Sequence, residues 1–166
     1  TLSRELSLAE ISHIAEEDVE LEVFGHGALC FCYSGVCLMS SMAGGRSANR
    51  GLCAQPCRLL YRLVDEAGND IAAPGRTRPL CPKDACTAGD VAALMKAGVG
   101  SLKVEGRMKA PDYVWSVIGA YREQIDSVLA GAPASTELGG TPVPAHVARR
   151  LKPAFNRDFT DAYLRG

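Results

Sequence analysis

Apolar positions recur along the chain in short stretches of helical and strand period. Ile11, Ile14 and Ala15 put an apolar stripe on a helix that starts near Leu8, where Ser7 and Glu10 stand at capping-box spacing. Leu21, Val23 and Phe24 predict a buried strand that Gly25-His26-Gly27 closes, and residues 1–6 read as the end of a strand ahead of it. Residues 61–71 predict a hairpin with its turn at 65–69. Thr87 and Asp90 are caps for a helix that buries Val91, Leu94 and Met95 and stops at Gly98. Residues 101–105 form a third strand. Pro111 then opens a helix to about residue 129, with Val114, Trp115, Ile118, Tyr121, Ile125 and Val128 as its apolar face.

Strand–helix–strand followed by helix–strand–helix is the grammar of parallel α/β folds. About three such strands are too few for a closed barrel, which needs eight. The expectation is therefore a smaller open α/β domain, or part of a barrel, over residues 1–130. Residues 28–60 form a cysteine- and glycine-rich insertion with little periodicity, and a loop that long inside a domain is usually functional. Residues 131–166 read as a linker rich in Gly, Pro, Ala and Thr, then a tail whose Phe155, Phe159, Tyr163 and Leu164 can dock. The chain opens on Thr1 inside a predicted strand, so an earlier part of the same domain is an expected partner.

Composition adds little until the cysteines. The 166 residues are 47% hydrophobic and 22% charged with a net charge of −1, so overall charge names no partner. No apolar run approaches the ~18 residues of a membrane span. All 7 cysteines (Cys30, Cys32, Cys37, Cys53, Cys57, Cys81, Cys86) fall between positions 30 and 86. An odd count leaves one over in a disulfide framework, and the apolar content needs no staples. A reduced, cytoplasmic protein with thiolate metal ligands is the expectation. The wide spacing and the loop glycines suit a bulky iron–sulfur cluster. Cys53-x3-Cys57 and Cys81-x4-Cys86 approach zinc knuckles, so zinc stays open as the alternative. From Val23 to Val64 there is no Asp or Glu, while Arg46, Arg50, Arg58 and Arg62 fall in that stretch. Guanidinium groups there would stabilise an anionic cluster or hold RNA phosphates.

Several long motifs then occur in order. Glu22-Val-Phe-Gly-His26-Gly27-Ala28-Leu29-Cys30, Ser34-Gly35-Val36-Cys37-Leu38-Met39-Ser40 and the run from Gly45 through Cys53 to Arg58 resemble the signature of the collagenase-like peptidases, the unassigned-peptidase family thirty-two. Lys83-Asp84-Ala85-Cys86, the run from Ser101 to Lys109, and the close from Phe155-Asn156-Arg157 to Leu164 continue the resemblance. It implies the C-terminal part of the family's core domain: a partial, incomplete β/α barrel with a cysteine-rich loop and a β-hairpin insertion. It also implies a [4Fe-4S] cluster on Cys30, Cys37, Cys53 and Cys86, with Cys57 as a companion and Cys32 and Cys81 peculiar to this chain. Two functions follow from the resemblance: proteolysis, including collagen degradation, and oxygen-independent hydroxylation of RNA bases or a quinone precursor. A paralogous family subunit is a further implied partner. The chain departs from the family pattern at Gly25, where a β-branched residue is common, and at Asp158, where Gly is common.

Glu22, His26, Lys103 and Glu105 lie near predicted strand ends, where barrel enzymes place working groups. His26 can move a proton; Glu105 and Arg107 can orient a substrate. Arg46, Arg50 and Arg58 are the other candidate substrate contacts. Lys103 and Glu105 are equally readable as a buried ion pair. A protease is harder to build: there is no His-Glu-x-x-His or Gly-x-Ser-x-Gly motif, and the one Cys–His pair, His26 and Cys30, lacks an orienting third group. A zinc-stabilised interaction module without catalysis is the third class.

Overall fold

Residues 1–131, 136–138 and 141–166 are described by a computed structural model, in which the chain divides into two units: residues 1–29 with 83–166, and residues 30–82.

The first unit is mixed α/β. Helix α1 (Leu8–Ile14) carries the capping box its sequence announces: Ser7 Oγ accepts from the Glu10 amide while the Glu10 carboxylate accepts from the Ser7 amide. Strand β1 (Leu21–Ala28) alternates buried and half-buried positions at first and is buried continuously over Gly25, His26 and Gly27. The expected strand end at Gly25 is corrected. The strand runs on through a register shift between Phe24 and His26, because Gly25 still bonds across the sheet: its carbonyl accepts from the Thr87 amide at 3.0 Å. Strand β2 (Asp84–Cys86), which periodicity missed because it is only three residues long, pairs antiparallel with β1 and sets Cys86 opposite His26. Helix α3 (Val91–Lys96) buries Val91 and Leu94 but leaves Met95 exposed. Strand β3 (Val99–Val104) is parallel to β1. Residues 1–6 are not a strand; Leu2 contributes one backbone bond, to Glu22.

Helix α4 (Pro111–Leu129) opens on the expected proline, which loses no hydrogen bond at the first position. Its buried face is Tyr113, Val117, Ala120, Tyr121 and Gln124, at i, i+4, i+7, i+8 and i+11. The expected face is thus rotated by about one residue: Tyr121 is inside, Ile125 and Val128 pack at its edge, and Val114, Trp115 and Ile118 are exposed. The tail is structured as well. Residues 131–144 were expected to be a linker; residues 132–135 and 139–140 lie outside the described residues, while β4 (Thr136–Leu138) and β5 (Thr141–Val143) pair antiparallel. Helix α5 (Ala145–Leu151) and the short β6 (Phe159–Thr160), parallel to β2, complete the unit.

The sheet order is β3-β1-β2-β6, open at both edges. One apolar cluster gathers Val117, Ala120, Tyr121, Val143, Val147 and Leu151 with Cys86. A second joins Ile11, Leu21, Val23 and Leu94 to Leu164 of the tail. Burying each of these aliphatic side chains contributes roughly 1.5–3 kcal/mol. Leu164 and the Arg165–Asp90 ion pair (2.7 Å) tie down the chain end.

The second unit has no comparable core. Of residues 30–82 only Ser40 and Pro56 are buried. The long loop expected at 28–60 contains helix α2 (Met39–Gly44) and two 3-10 turns, Ala48–Arg50 and Pro56–Arg58. Side chains brace it: Asn49 donates to the Gly35 carbonyl (2.8 Å), Arg46 to the Leu52 carbonyl (3.0 Å), and Ser40 Oγ accepts from the Ala54 amide (2.9 Å). The expected hairpin is reduced to one antiparallel bridge, Val64 with Asp70, closed by a turn in which the Asp65 carboxylate accepts from Asn69.

Candidate functional site

The C-terminal ends of the parallel strands β1 and β3 bring His26 and Glu105 together: the Glu105 amide donates to the His26 carbonyl at 2.8 Å. Gly27 makes that approach possible. Its φ is +109°, and a Cβ there would stand 2.7 Å from the Glu105 carbonyl oxygen and 2.9 Å from its Cβ. His26 is 2% exposed, among the rings of Tyr121 (5.5 Å between centroids, edge-on), Phe159 (5.4 Å) and Tyr113 (6.3 Å). Burial lowers its pKa to about 4, so the imidazole is neutral at pH 7.

Hydrogen-bond counting assigns its proton. The Tyr121 hydroxyl donates to the Gly25 carbonyl at 2.6 Å and accepts from the Thr87 amide at 2.9 Å. Its one proton is committed, so His26 Nδ1, 3.4 Å away, interacts favourably only as the donor. That leaves Nε2 as the basic nitrogen. Across from His26 in the strand register, the wholly buried Cys86 thiol is pushed up to about 11, chiefly by burial. Burial also raises the Tyr121 hydroxyl far and the Tyr113 hydroxyl to about 12. Nearby, buried Asp84 pairs with Arg157 at 2.9 Å.

The other sequence candidates are spread out. Glu22 sits at the opposite, N-terminal end of β1, accepting from Thr1 Oγ1 (2.6 Å) and Ser101 Oγ (3.0 Å); these two bonds, Thr1 first, lower its pKa. Lys103 is exposed, its Nζ 5.0 Å from the Phe24 ring centroid, so the buried Lys103–Glu105 pair is corrected: among the described residues no such ion pair forms. Arg107 follows β3 and is exposed. The sequence did not single out Tyr113, Asp84 or a role for Arg157 and Phe159 around His26. The Tyr113–Tyr121 spacing of eight, two helical turns, was the available signal.

In the second unit lie Cys30, Cys32, Cys37, Cys53, Cys57 and Cys81, while Cys86 belongs to the first. None of the seven is in a disulfide. Several of these thiols act on one another electrostatically. The Cys32 thiol is pushed up by desolvation and then by Cys37, with Cys30 adding to it. The Cys57 thiol is raised mainly by burial, with Arg58 opposing and Cys30, Cys53 and Cys81 adding to the rise. Arg58 also donates to Cys81 Sγ at 3.0 Å, and the Gln55 amide to Cys53 Sγ at 3.3 Å. Arg46 and Arg58 are therefore partly committed to bracing, whereas Arg50 is exposed on its 3-10 turn. Among the described residues no three His, Cys, Asp or Glu side chains converge closely enough to hold a metal ion. The donor chemistry fits a thiolate-bound metal group: six thiols, N–H donors to sulfur, and no carboxylate from Cys30 to Val64.

One unit is an open α/β sheet with a buried histidine at its parallel strand ends, and the other is rich in thiols and arginines and poor in core; together these features define the class. The chain belongs to Peptidase family U32, whose pattern matches residues 1–166. It is 43% identical over 129 residues to a 23S rRNA 5-hydroxycytidine synthase of Escherichia coli, covering 77% of this chain and 19% of that protein. It is 40% identical over 170 residues to tRNA hydroxylation protein P1 of Bacillus subtilis, covering 99% and 39%. It is 34% identical over 178 residues to a collagenase of Porphyromonas gingivalis, covering 99% and 41%. The chain thus spans less than half the length of these curated relatives. No solved structure matches it. Among the described residues no helix is long and apolar enough to cross a membrane.

Proposed function

We propose that the chain is the cysteine-bearing part of an iron–sulfur enzyme that serves oxygen-independent hydroxylation of an RNA base. One observation carries this reading: residues 30–82 bury almost nothing, yet hold six thiols that are not in disulfides. A unit that small without a core is usually held by disulfides or metal. Cys30, Cys37 and Cys53 would hold the cluster, with Cys86 as fourth thiolate on the family resemblance alone. When bound, the cluster supplies one-electron chemistry. Arginines in the same unit suit a phosphate-bearing substrate better than a neutral quinone precursor. His26, buried and with a pKa lowered to about 4, is a weak proton acceptor at pH 7 and serves here to pack the parallel strand ends. The parallel β1–β3 pair is read as part of the incomplete barrel that the resemblance implies.

A peptidase finds less support. His26 faces rings instead of an orienting carboxylate, and Cys30, its candidate nucleophile, belongs to the other unit. Anaerobic purification tests the proposal: a brown protein with visible absorbance and about four irons and sulfides per chain is expected. Cys37→Ala and Cys53→Ala should each bleach it. One colourless zinc per chain would refute the cluster, and peptide cleavage that survives both substitutions but not His26→Ala would establish the protease.

A further inference from the structure

Two grooves of the first unit meet at Lys109 and Arg150. One, of about 710 Å³, lies between the start of α4 and the end of α5, lined by Lys109, Arg149, Arg150 and Phe155 and reaching Tyr113, whose ring is 6.3 Å from that of His26. The other, of about 690 Å³, runs along the exposed side of α4 past Val114, Trp115 and Ile118. Four cations (Lys109, Arg122, Arg149, Arg150) and one carboxylate (Asp112) line the pair, and two of the cations carry ion-pair partners of their own, Asp126 on Arg122 and Glu123 on Arg150. The cations are held in place. Lys109 Nζ lies 3.4 Å from the Phe155 ring centroid, and Arg150 pairs with Glu123. Gly119, without a side chain, leaves Arg150 room to cross α4, where its guanidinium stands 5.9 Å from the Trp115 ring. Trp115 is 75% exposed.

An exposed indole beside fixed cations matches a ligand that offers flat rings and phosphates in alternation. An acidic peptide offers the charge without the rings. We propose that this face of α4 and α5 binds single-stranded RNA, with a base stacked on Trp115 and the flanking phosphates on Lys109, Arg149 and Arg150. The choice of RNA rests on the function proposed above; the place rests on the grooves. The strand then passes Tyr113 at the C-terminal ends of β1 and β3, where ligands of parallel sheets bind.

Trp115 is the only tryptophan in the chain, so its fluorescence reports stacking directly. The probe is a labelled oligouridylate of about 12 nucleotides, within the usual site sizes. Its anisotropy should rise, and Trp115 emission should fall, over the same protein–RNA titration. Trp115→Leu should weaken binding about tenfold or more. Lys109→Ala and Arg149→Ala should each weaken it and reduce the slope of log affinity against log salt by about 0.7; circular dichroism checks that these surface variants fold. Binding without Trp115 quenching, and indifferent to both substitutions, would place RNA elsewhere and overturn this site while the RNA reading stands. No binding by the unmodified chain would overturn both. Polyglutamate bound as tightly as RNA would overturn the choice of ligand.

Discussion

Acidification should destabilise the first unit through His26. Its pKa is about 4 in the folded chain against the ordinary 6.5, and the shift comes from burial. Between these values the unfolded chain binds the extra proton and the folded one does not, so stability rises with pH through the window and is lost as pH falls. The full shift corresponds to about 3 kcal/mol at about 1.4 kcal/mol per unit, of which about 2 kcal/mol is lost between pH 7 and pH 5. The groups facing His26 do not blur the window: Cys86 is pushed to about 11, Tyr113 to about 12 and Tyr121 upward as well. Carboxylates such as Glu22 do titrate on the acid side, so the readout is a difference. Urea unfolding of the chain and of His26→Gln, followed at intervals from pH 7 to pH 4.5, should show a steeper loss in the unmodified chain. Ring nitrogen shifts give a second measurement that needs no variant to fold. Of the three histidines, His26 should stay neutral down to about pH 5. A His26 titration near 6.5, or parallel stability curves, would refute the burial argument.

Three further outcomes follow from named contacts. Gly27→Ala forces a Cβ against Glu105 at a φ of +109° and should cost about 3 kcal/mol or more in chemical denaturation; an unchanged midpoint would mean that β1 and β3 do not approach as described. Asp158 adopts a φ of +62°, so Asp158→Gly should raise stability by about 0.5–1 kcal/mol, seen as a higher thermal midpoint. Amides of residues 30–82 should exchange quickly in metal-free protein and become protected when iron and sulfide are restored anaerobically, since that unit buries only Ser40 and Pro56; equal protection in both states would show that it needs no metal.

Sequence and structure divide the result along physical lines. Local signals were legible: the Ser7–Glu10 cap, the Pro111 start of α4 and the apolar runs of β1 and β3 all depend on neighbours within a few residues. The concentration of thiols was legible too, because composition needs no coordinates. Asp158 shows a departure from pattern acquiring a cause, since a position where Gly is common proves to have positive φ. What needed tertiary structure was everything set by contacts distant in sequence. Periodicity finds an apolar stripe on α4, but what packs against the helix decides which side is buried, and that left Trp115 outside beside Arg150. Proximity to a strand end did not tell which end: Glu22 and His26 share β1 yet lie at opposite ends. Only the antiparallel pairing of β2 set Cys86 across from His26, and only the fold enclosed that imidazole in three aromatic rings. The sequence by itself determined which side chains could do chemistry; burial and strand pairing, which join residues tens of positions apart, decided their protonation and their neighbours.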